Sequence, residues 1–372
     1  MKKIYEVIVI GIGAMGSSAL YHLSKKNSNI LGIDQFVPPH NLGSSYGETR
    51  IIREAYFEHP LYVPFIQNAY KLWDELQEKS DEQLIKNTTG LMLGDLESET
   101  VTGAELSAIT HNLPYQKLDF QEINKRFNYF KPTDETYGIF EKNAGVLFPE
   151  KCITENLKQA KLNGAEVLNN TKIISWEQKS DFILLKSSDN EFRSKKIIIS
   201  NGAWILDLLK INLPLEVSRE TLFWIEDNNN NLKDCPIYIW EYEKDKIFYG
   251  FPTMNNMAKV AFHHQRNLTT ADKLNRDISQ EEKEKMLNIA HKYLNLKGEI
   301  QRQEVCMYTN TPDHHFLIDF YPDNENIIIA SPCSGHGFKF SSIIGKILSE
   351  MIFEEKLSNN IDPFKINRLL NK

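Results

Sequence analysis

At 372 residues the chain exceeds what one small core organises, and two domains are the natural expectation. Charged residues make up 25% and apolar residues 41%, the balance of an ordinary soluble globular protein. Lys and Arg number 43 against 50 Asp and Glu, a formal charge of −7, and no basic tract stands out, which excludes nucleic acid as an expected partner.

The first element is the clearest. Tyr5-Glu6-Val7-Ile8-Val9-Ile10 is an apolar β-run, too soon broken by glycine to be a membrane span or a signal segment. Gly11-Ile12-Gly13-Ala14-Met15-Gly16 follows, then a helical stretch from Ser17 to Lys26. A second apolar run, Ile30-Leu31-Gly32-Ile33, ends in Asp34. This is a βαβ pattern with G-x-G-x-x-G in its first turn and an acid about 20 residues on. Gly11 permits the tight turn. Gly13 lets the backbone approach a pyrophosphate at the helix N-terminus. Gly16 lets helix and strand pack closely, and Asp34 can accept from ribose hydroxyls. A dinucleotide site is the expectation.

A long loop runs from Pro38 through Ser44, Ser45 and Tyr46 to Arg53, and ordered loops of that length are often functional. A helix from about Pro64 to Gln77 carries Phe65, Ala69, Leu72, Trp73 and Leu76 on one face, a core stripe. Thr88 to Leu93 reads as a hairpin strand, and Cys152 to Asn163 as a helix stopped by Gly164. Ala165 to Leu168, Lys172 to Trp176, Phe182 to Lys186 and Lys196 to Ser200 read as strands. From about 213 to 265 the aromatic and β-branched residues predict an antiparallel sheet. Lys273 to Tyr293 is a charged helical region. Ile327-Ile328-Ile329-Ala330 is a buried strand, followed by Gly335, Gly337 and a helix from Ser341 to Phe353.

That last unit repeats the geometry of an anion-binding helix N-terminus. The nucleotide-binding sheet is therefore expected to be built from both ends of the chain, with a second domain inserted between. Four cysteines, Cys152, Cys235, Cys306 and Cys333, show neither metal-ligand spacing nor a C-x-x-C pair, so a reducing cytoplasm and no metal are expected.

Several stretches together resemble the monomeric sarcosine oxidase and N-methyltryptophan oxidase family, within the D-amino-acid-oxidase-like flavoproteins. They are Gly11 to Gly16, Pro38-Pro39-His40, Gly47-Glu48-Thr49-Arg50-Ile51-Ile52-Arg53, Gly202-Ala203-Trp204, Tyr249-Gly250-Phe251-Pro252, Cys306-Met307-Tyr308-Thr309 and Ser334-Gly335-His336-Gly337-Phe338-Lys339-Phe340. The resemblance covers essentially the whole chain. It implies an α/β (α+β) fold, with a discontinuous Rossmann-like FAD-binding domain (residues 1–85, 146–212 and 313–372). An inserted catalytic domain (86–145 and 213–312) would carry a large antiparallel sheet.

The resemblance also implies chemistry. FAD would be attached through an 8α-S-cysteinyl thioether to Cys306, with Gly11, Gly13, Gly16, Asp34, Ser44, Gly335 and Gly337 as further cofactor contacts. Arg53 and Lys339 would clamp a substrate carboxylate, which needs cationic partners once desolvated. Arg50 would lie over the flavin. Lys259 would activate oxygen, and His263, four residues on along the same strand face, would contact substrate. Tyr249 and Tyr308 would wall the substrate cavity. The implied reaction is hydride transfer from a secondary amino acid to flavin N5, imine hydrolysis, and reduction of O2 to H2O2 by a monomer with no membrane partner.

Departures from the family pattern touch the substrate side more than the FAD side. Ser45 and Tyr46 stand where His-His is common, Glu48 replaces Asp, Glu54 replaces His, and Ile239-Trp240 is bulky where sarcosine oxidases carry Met. They leave open a larger N-methyl amino acid, a cyclic imino acid or a sugar-modified amino acid. Read from the glycine turn alone, an NAD(P)-dependent dehydrogenase or a nucleotide-binding protein without redox activity also remains open.

Overall fold

The computed structural model describes residues 3–331 and 334–370, and Cys333 lies outside them. Strand Ile4–Ile10 pairs in parallel with Ile30–Ile33 on one side, Val7 opposite Ile30. On the other side it pairs with Glu191–Ile199, Ile10 opposite Ile199. Strands covered on both faces need apolar side chains at every position, which is why these read as continuous runs. Asn324–Ala330 joins Glu191–Ile199 in parallel, with Ile197, Ile198 and Ile199 opposite Ile327, Ile328 and Ile329. Early and late segments of the chain thus share one eight-stranded sheet. Helices Ala14–Ser24, Val63–Gln77, Pro149–Leu162 and Ser341–Ile352 bury their apolar faces with Val7 and Val9 on one side of it. Ile8 and Ile10 pack on the other, against Ile205, Leu213 and Trp176.

A nine-stranded sheet takes its strands from residues 90–141 and 216–310. Its pairs are antiparallel except one: Gly90–Gly94 runs parallel to Ile237–Glu243, Leu91 opposite Tyr238. The strand expected as part of a hairpin is therefore an inner one, flanked also by Tyr137–Glu141. The chain enters it through Thr89, whose φ of 62° turns it out of strand Ile85–Asn87. That short strand belongs to a three-stranded sheet with Arg50–Arg53 and Ala144–Leu147, which straddles two of the expected domain boundaries.

One expected helix is shorter. Gln280–Tyr293 starts where Ser279 and Glu282 form a capping box, the Ser279 hydroxyl accepting from the Glu282 N–H at 3.2 Å. Before it, Arg276 reaches away to the carbonyls of Asn41, Leu42 and Val305, which a continuous helix would prevent. Among the described residues no helix is long and apolar enough to cross a membrane.

The glycine turn holds the first strand and helix together. Gly11 has φ of +82°, and a Cβ on Gly16 would lie 1.9 Å from the Gly11 carbonyl oxygen. Gly16→Ala must displace backbone, and is expected to lower unfolding stability by about 1–3 kcal/mol. A thermal melt of the variant beside the parent chain checks this.

Candidate active site

A long cavity begins at Gly11 and Gly13, passes Asp34, Arg50 and Cys306, and ends at Arg53 and Lys339. It lies outside the carboxyl ends of the parallel strands, where α/β sheets bind ligands. A Cβ on Gly13 would meet nothing within 4 Å, so the space over the N-terminus of helix Ala14–Ser24 is open to a ligand. Asp34 accepts from the Ile12 and Phe36 N–H groups, both at 2.9 Å. Each carboxylate oxygen keeps a second lone pair for a ribose hydroxyl. Gly335 and Gly337 line the same cavity, whereas Gly16 is a packing residue and does not. These residues fit a dinucleotide whose pyrophosphate lies at Gly13.

The loop before Arg50 has no strand or helix, and its shape comes from side chains that reach it. Glu150 accepts from the N–H groups of Gly47 at 2.8 Å and Glu48 at 3.0 Å. Lys259 Nζ donates to Gly47 O at 2.6 Å and Thr49 O at 3.0 Å, with Thr49 Oγ1 at 3.1 Å. Arg50 donates to the carbonyls of Ser44, Tyr46 and Thr49 at 2.6–2.8 Å. Ser44, Ser45 and Arg50 line the cavity. Tyr46 and Glu48 do not: both turn to Arg302, and Trp224 Nε1 donates to Glu48 at 3.1 Å.

Lys259 stands behind this loop rather than in the cavity wall. Burial, then the neighbouring Arg50, holds its pKa well below the ordinary lysine value. The Thr49 hydroxyl can donate as well as accept, so the three partners satisfy amine and ammonium alike.

Cys306 is 2% exposed and borders the cavity. Burial pushes its thiol up to about 11, with Arg50 opposing. Tyr308 lies two residues on, and its hydroxyl is 3.4 Å from His263 Nδ1. Tyr249 and Tyr308 both line the cavity, and burial raises Tyr249 to about 12. His263 is pushed well below the ordinary histidine range by burial and then by His264. Strand alternation would turn His264 to the opposite face from His263, yet it packs its ring 4.1 Å from that of His263 and 5.4 Å from that of Tyr308. The strand ends at His263, and a φ of 54° at His264 breaks the alternation.

At the far end Arg53 is 1% exposed. It donates to Ala55 O at 2.9 Å and to Glu58 Oε2 at 2.5 Å, and lies over the Tyr56 and Phe57 rings. Burial would raise Glu58, but Arg53, with His336 and Lys339, carries it below its usual value. Lys339 Nζ donates to His336 O at 2.8 Å and lies 3.4 Å from the Tyr56 hydroxyl. Trp73 Nε1 pins the Lys339 carbonyl at 2.8 Å.

Three points lie outside the sequence reading. Glu58, not Glu54, is the carboxylate on Arg53; Glu54 does not line the cavity. Ile239 faces the cavity while Trp240 packs into the large sheet's core against Phe130, Phe248 and Tyr293. Glu141, 3% exposed, accepts from the Glu54 and Ala55 N–H groups directly after Arg53. Nothing in the spacing marks Glu58 or Glu141. Among the described residues no group of three or more His, Cys, Asp or Glu could hold a metal ion.

The family described as FAD dependent oxidoreductase (DAO) matches residues 6–351. The chain is 38% identical over 379 residues to the monomeric sarcosine oxidase of Arthrobacter sp. (strain TE1826), covering 99% of this chain and 97% of that protein. It is 31% identical over 370 residues to the N-methyl-L-tryptophan oxidase of Escherichia coli (strain K12), covering 98% and 99%. The solved structure of NikD, an unusual amino acid oxidase essential for nikkomycin biosynthesis, superposes with a TM-score of 0.86 at 16% identity, covering 98% of each chain; this likeness is one of fold.

Burial holds the Glu141 carboxyl up at about 7, against the N–H groups of Ala55 and Glu54 and the charge of Arg53. An acid whose pKa rises on folding keeps its proton after the unfolded chain has lost it. Its contribution to stability therefore falls as pH climbs from 4.5 to about 7, and is constant above. Glu141→Gln is expected to remove on the order of 3 kcal/mol of that decline. Denaturant unfolding of parent and variant at the two ends of that range measures it.

Proposed function

The chain belongs to the FAD dependent oxidoreductase family, and on that premise we propose that it oxidises a secondary amino acid, such as an N-methyl amino acid, with O2 as the final acceptor. One observation carries the reading: a single cavity joins the glycine turn, through Cys306, to the buried cations Arg53 and Lys339. Bound FAD supplies the two-electron chemistry, taking a hydride from the substrate and passing the electrons to O2 as H2O2.

The chain's own groups bind, orient and tune. Gly11 and Gly13 hold the pyrophosphate at the helix N-terminus, Asp34 holds a ribose, and Ser44, Gly335 and Gly337 border the remainder. Cys306 is the residue we assign as the thioether tether. Arg53 and Lys339 receive the substrate carboxylate. Arg53 shares its charge with Glu58 at that end, and Lys339, held by the His336 carbonyl, adds a second cation. A carboxylate with both partners is fixed at one end, which presents its nitrogen and the adjacent carbon at a set place in the cavity.

His263, neutral under ordinary conditions, offers hydrogen bonding without adding charge beside the substrate nitrogen. Tyr249, Tyr308, Ile239 and Phe57 supply apolar walls that exclude water. Arg50 favours negative charge in the cavity. Lys259, buried beside Arg50, is the cation we assign to stabilise reduced oxygen as negative charge develops nearby. The relatives' printed name supports a monomer, and the scattered free thiols of Cys152, Cys235 and Cys306 support a reducing compartment.

Acid precipitation of the purified protein tests the tether: the pellet should stay yellow, and a colourless pellet under a yellow supernatant would count against Cys306. A peroxide-coupled screen of N-methyl, cyclic and primary amino acids tests the substrate class, and absence of peroxide with every secondary amino acid would sink the proposal. Lys339→Met should raise KM by about tenfold or more, the loss of one charge-assisted hydrogen bond, with a smaller change in kcat. Lys259→Met should slow reoxidation by O2 far more than reduction by substrate in stopped-flow; equal slowing of both would reject its assigned role.

A further inference from the structure

Cys306 does not stand alone on its sheet face. Strand Ile300–Asn310 pairs antiparallel with Glu216–Glu226, and the residue opposite Cys306 is Glu220. Opposed residues in such a pair project on the same face with Cβ atoms about 5 Å apart. That face carries Ser218, Glu220, Leu222 and Trp224 from one strand and Tyr308 and Cys306 from the other. A carboxylate there has no exposure at all. Glu220 Oε1 accepts from the Ser218 hydroxyl at 2.7 Å, and Oε2 from the Gln265 N–H at 3.2 Å. With the Gln265 side chain also bonding this carboxylate, one of its about four lone-pair positions is left over. Nothing in the oxidation of an amino acid uses this group, and burying an acid costs enough that its presence beside a thiol calls for a reason.

We propose that Glu220 is the base that takes the Cys306 thiol proton when that sulfur is joined to the 8-methyl carbon of the flavin. The proposal rests on the reading of Cys306 as the tether. The step balances as follows. The S–H proton passes to Glu220, a C–S bond forms, and the methyl carbon loses one hydrogen as a proton. The two electrons left on the ring system go to O2, so thiol, flavin and O2 yield thioether and H2O2. The surroundings suit a proton transfer at this place. Burial lifts the Glu220 carboxyl to about 7, closer to the thiol's value of about 11 than an ordinary carboxyl would be. The charged and titratable groups acting on the thiol are Arg50, Glu220, Lys259 and Arg276, and the three cations favour a negative sulfur. Tyr249 and Tyr308, both raised by burial, stay protonated and do not compete as bases.

The test uses the full chain produced without flavin and then mixed with FAD in air. Intact mass records the gain of one covalent FAD with time, and the visible spectrum separately records reversible binding. Glu220→Gln should bind FAD and attach it about 100-fold more slowly. Its rate should recover as pH is raised toward the thiol's own value, and Glu220→Asp should attach faster than Glu220→Gln. Attachment by Glu220→Gln at the parent rate overturns the assignment of the base while leaving the tether intact. A slow rate that raised pH does not restore also overturns it, since a merely structural loss would behave so. If Glu220→Gln fails to bind FAD, Glu220→Asp decides: attachment at the parent rate despite the withdrawn carboxylate rejects the base. A parent chain that gains no mass overturns the tether reading itself, and the proposal with it.

Discussion

The bond set of Lys259 is the constraint on which the site depends. Its Nζ leaves strand Met257–His263 of the large sheet and ends on Gly47 O, Thr49 O and Thr49 Oγ1 in a loop that belongs to neither sheet. An amine 3% exposed must be solvated by fixed dipoles, and this loop supplies three of them. The loop in turn has no ladder of its own, so its conformation follows from what it wraps. Arg50 closes the arrangement by donating back to Ser44, Tyr46 and Thr49. Three residues further on, Arg53 is carried on strand Arg50–Arg53 into the cavity wall. One buried nitrogen therefore links the large sheet to both arginines.

Around it the charge is graded along the cavity. Arg50 and Lys259 act on Cys306, and Arg53 and Lys339 border the cavity. Between them the histidines are held neutral by burial: His336 is pushed down to about 3 and His264 to about 4. At the far wall Arg53 is held by Ala55 O and Glu58, and Lys339 by the His336 carbonyl. The positions that depart from the family pattern divide in a physically sensible way. Tyr46 and Glu48 face Arg302 outside the cavity, Trp240 is core, and Ser45 and Ile239 border the cavity.

Much of the parallel sheet was legible because its strands bury both faces. Val7 to Ile10, Ile30 to Ile33 and Ile327 to Ala330 leave unbroken apolar runs, and the glycines between them have few other uses. The large sheet was legible in type but not in order. The parallel pairing of Gly90–Gly94 with Ile237–Glu243 joins segments more than a hundred residues apart, and local propensity carries no trace of a partner. The start of helix Gln280–Tyr293 was written in Ser279 and Glu282, yet charge periodicity before them masked it.

The sequence by itself determined the glycine turn, because a positive φ and a close helix restrict which residue may stand at Gly11 and Gly16, and Asp34 accepts from the Ile12 N–H of that turn. It also supplied the groups to which we assign roles: Cys306, Arg50, Arg53, Lys259 and Lys339. Only the tertiary structure decided what those groups face. Glu58 meets Arg53, Glu220 lies opposite Cys306, and Lys259 ends behind a loop two hundred residues away in the chain. A short run of residues fixes backbone geometry through its own sterics. The field and the protonation of a buried group come instead from neighbours that folding brings, and those neighbours are set by register and burial, which no local pattern encodes.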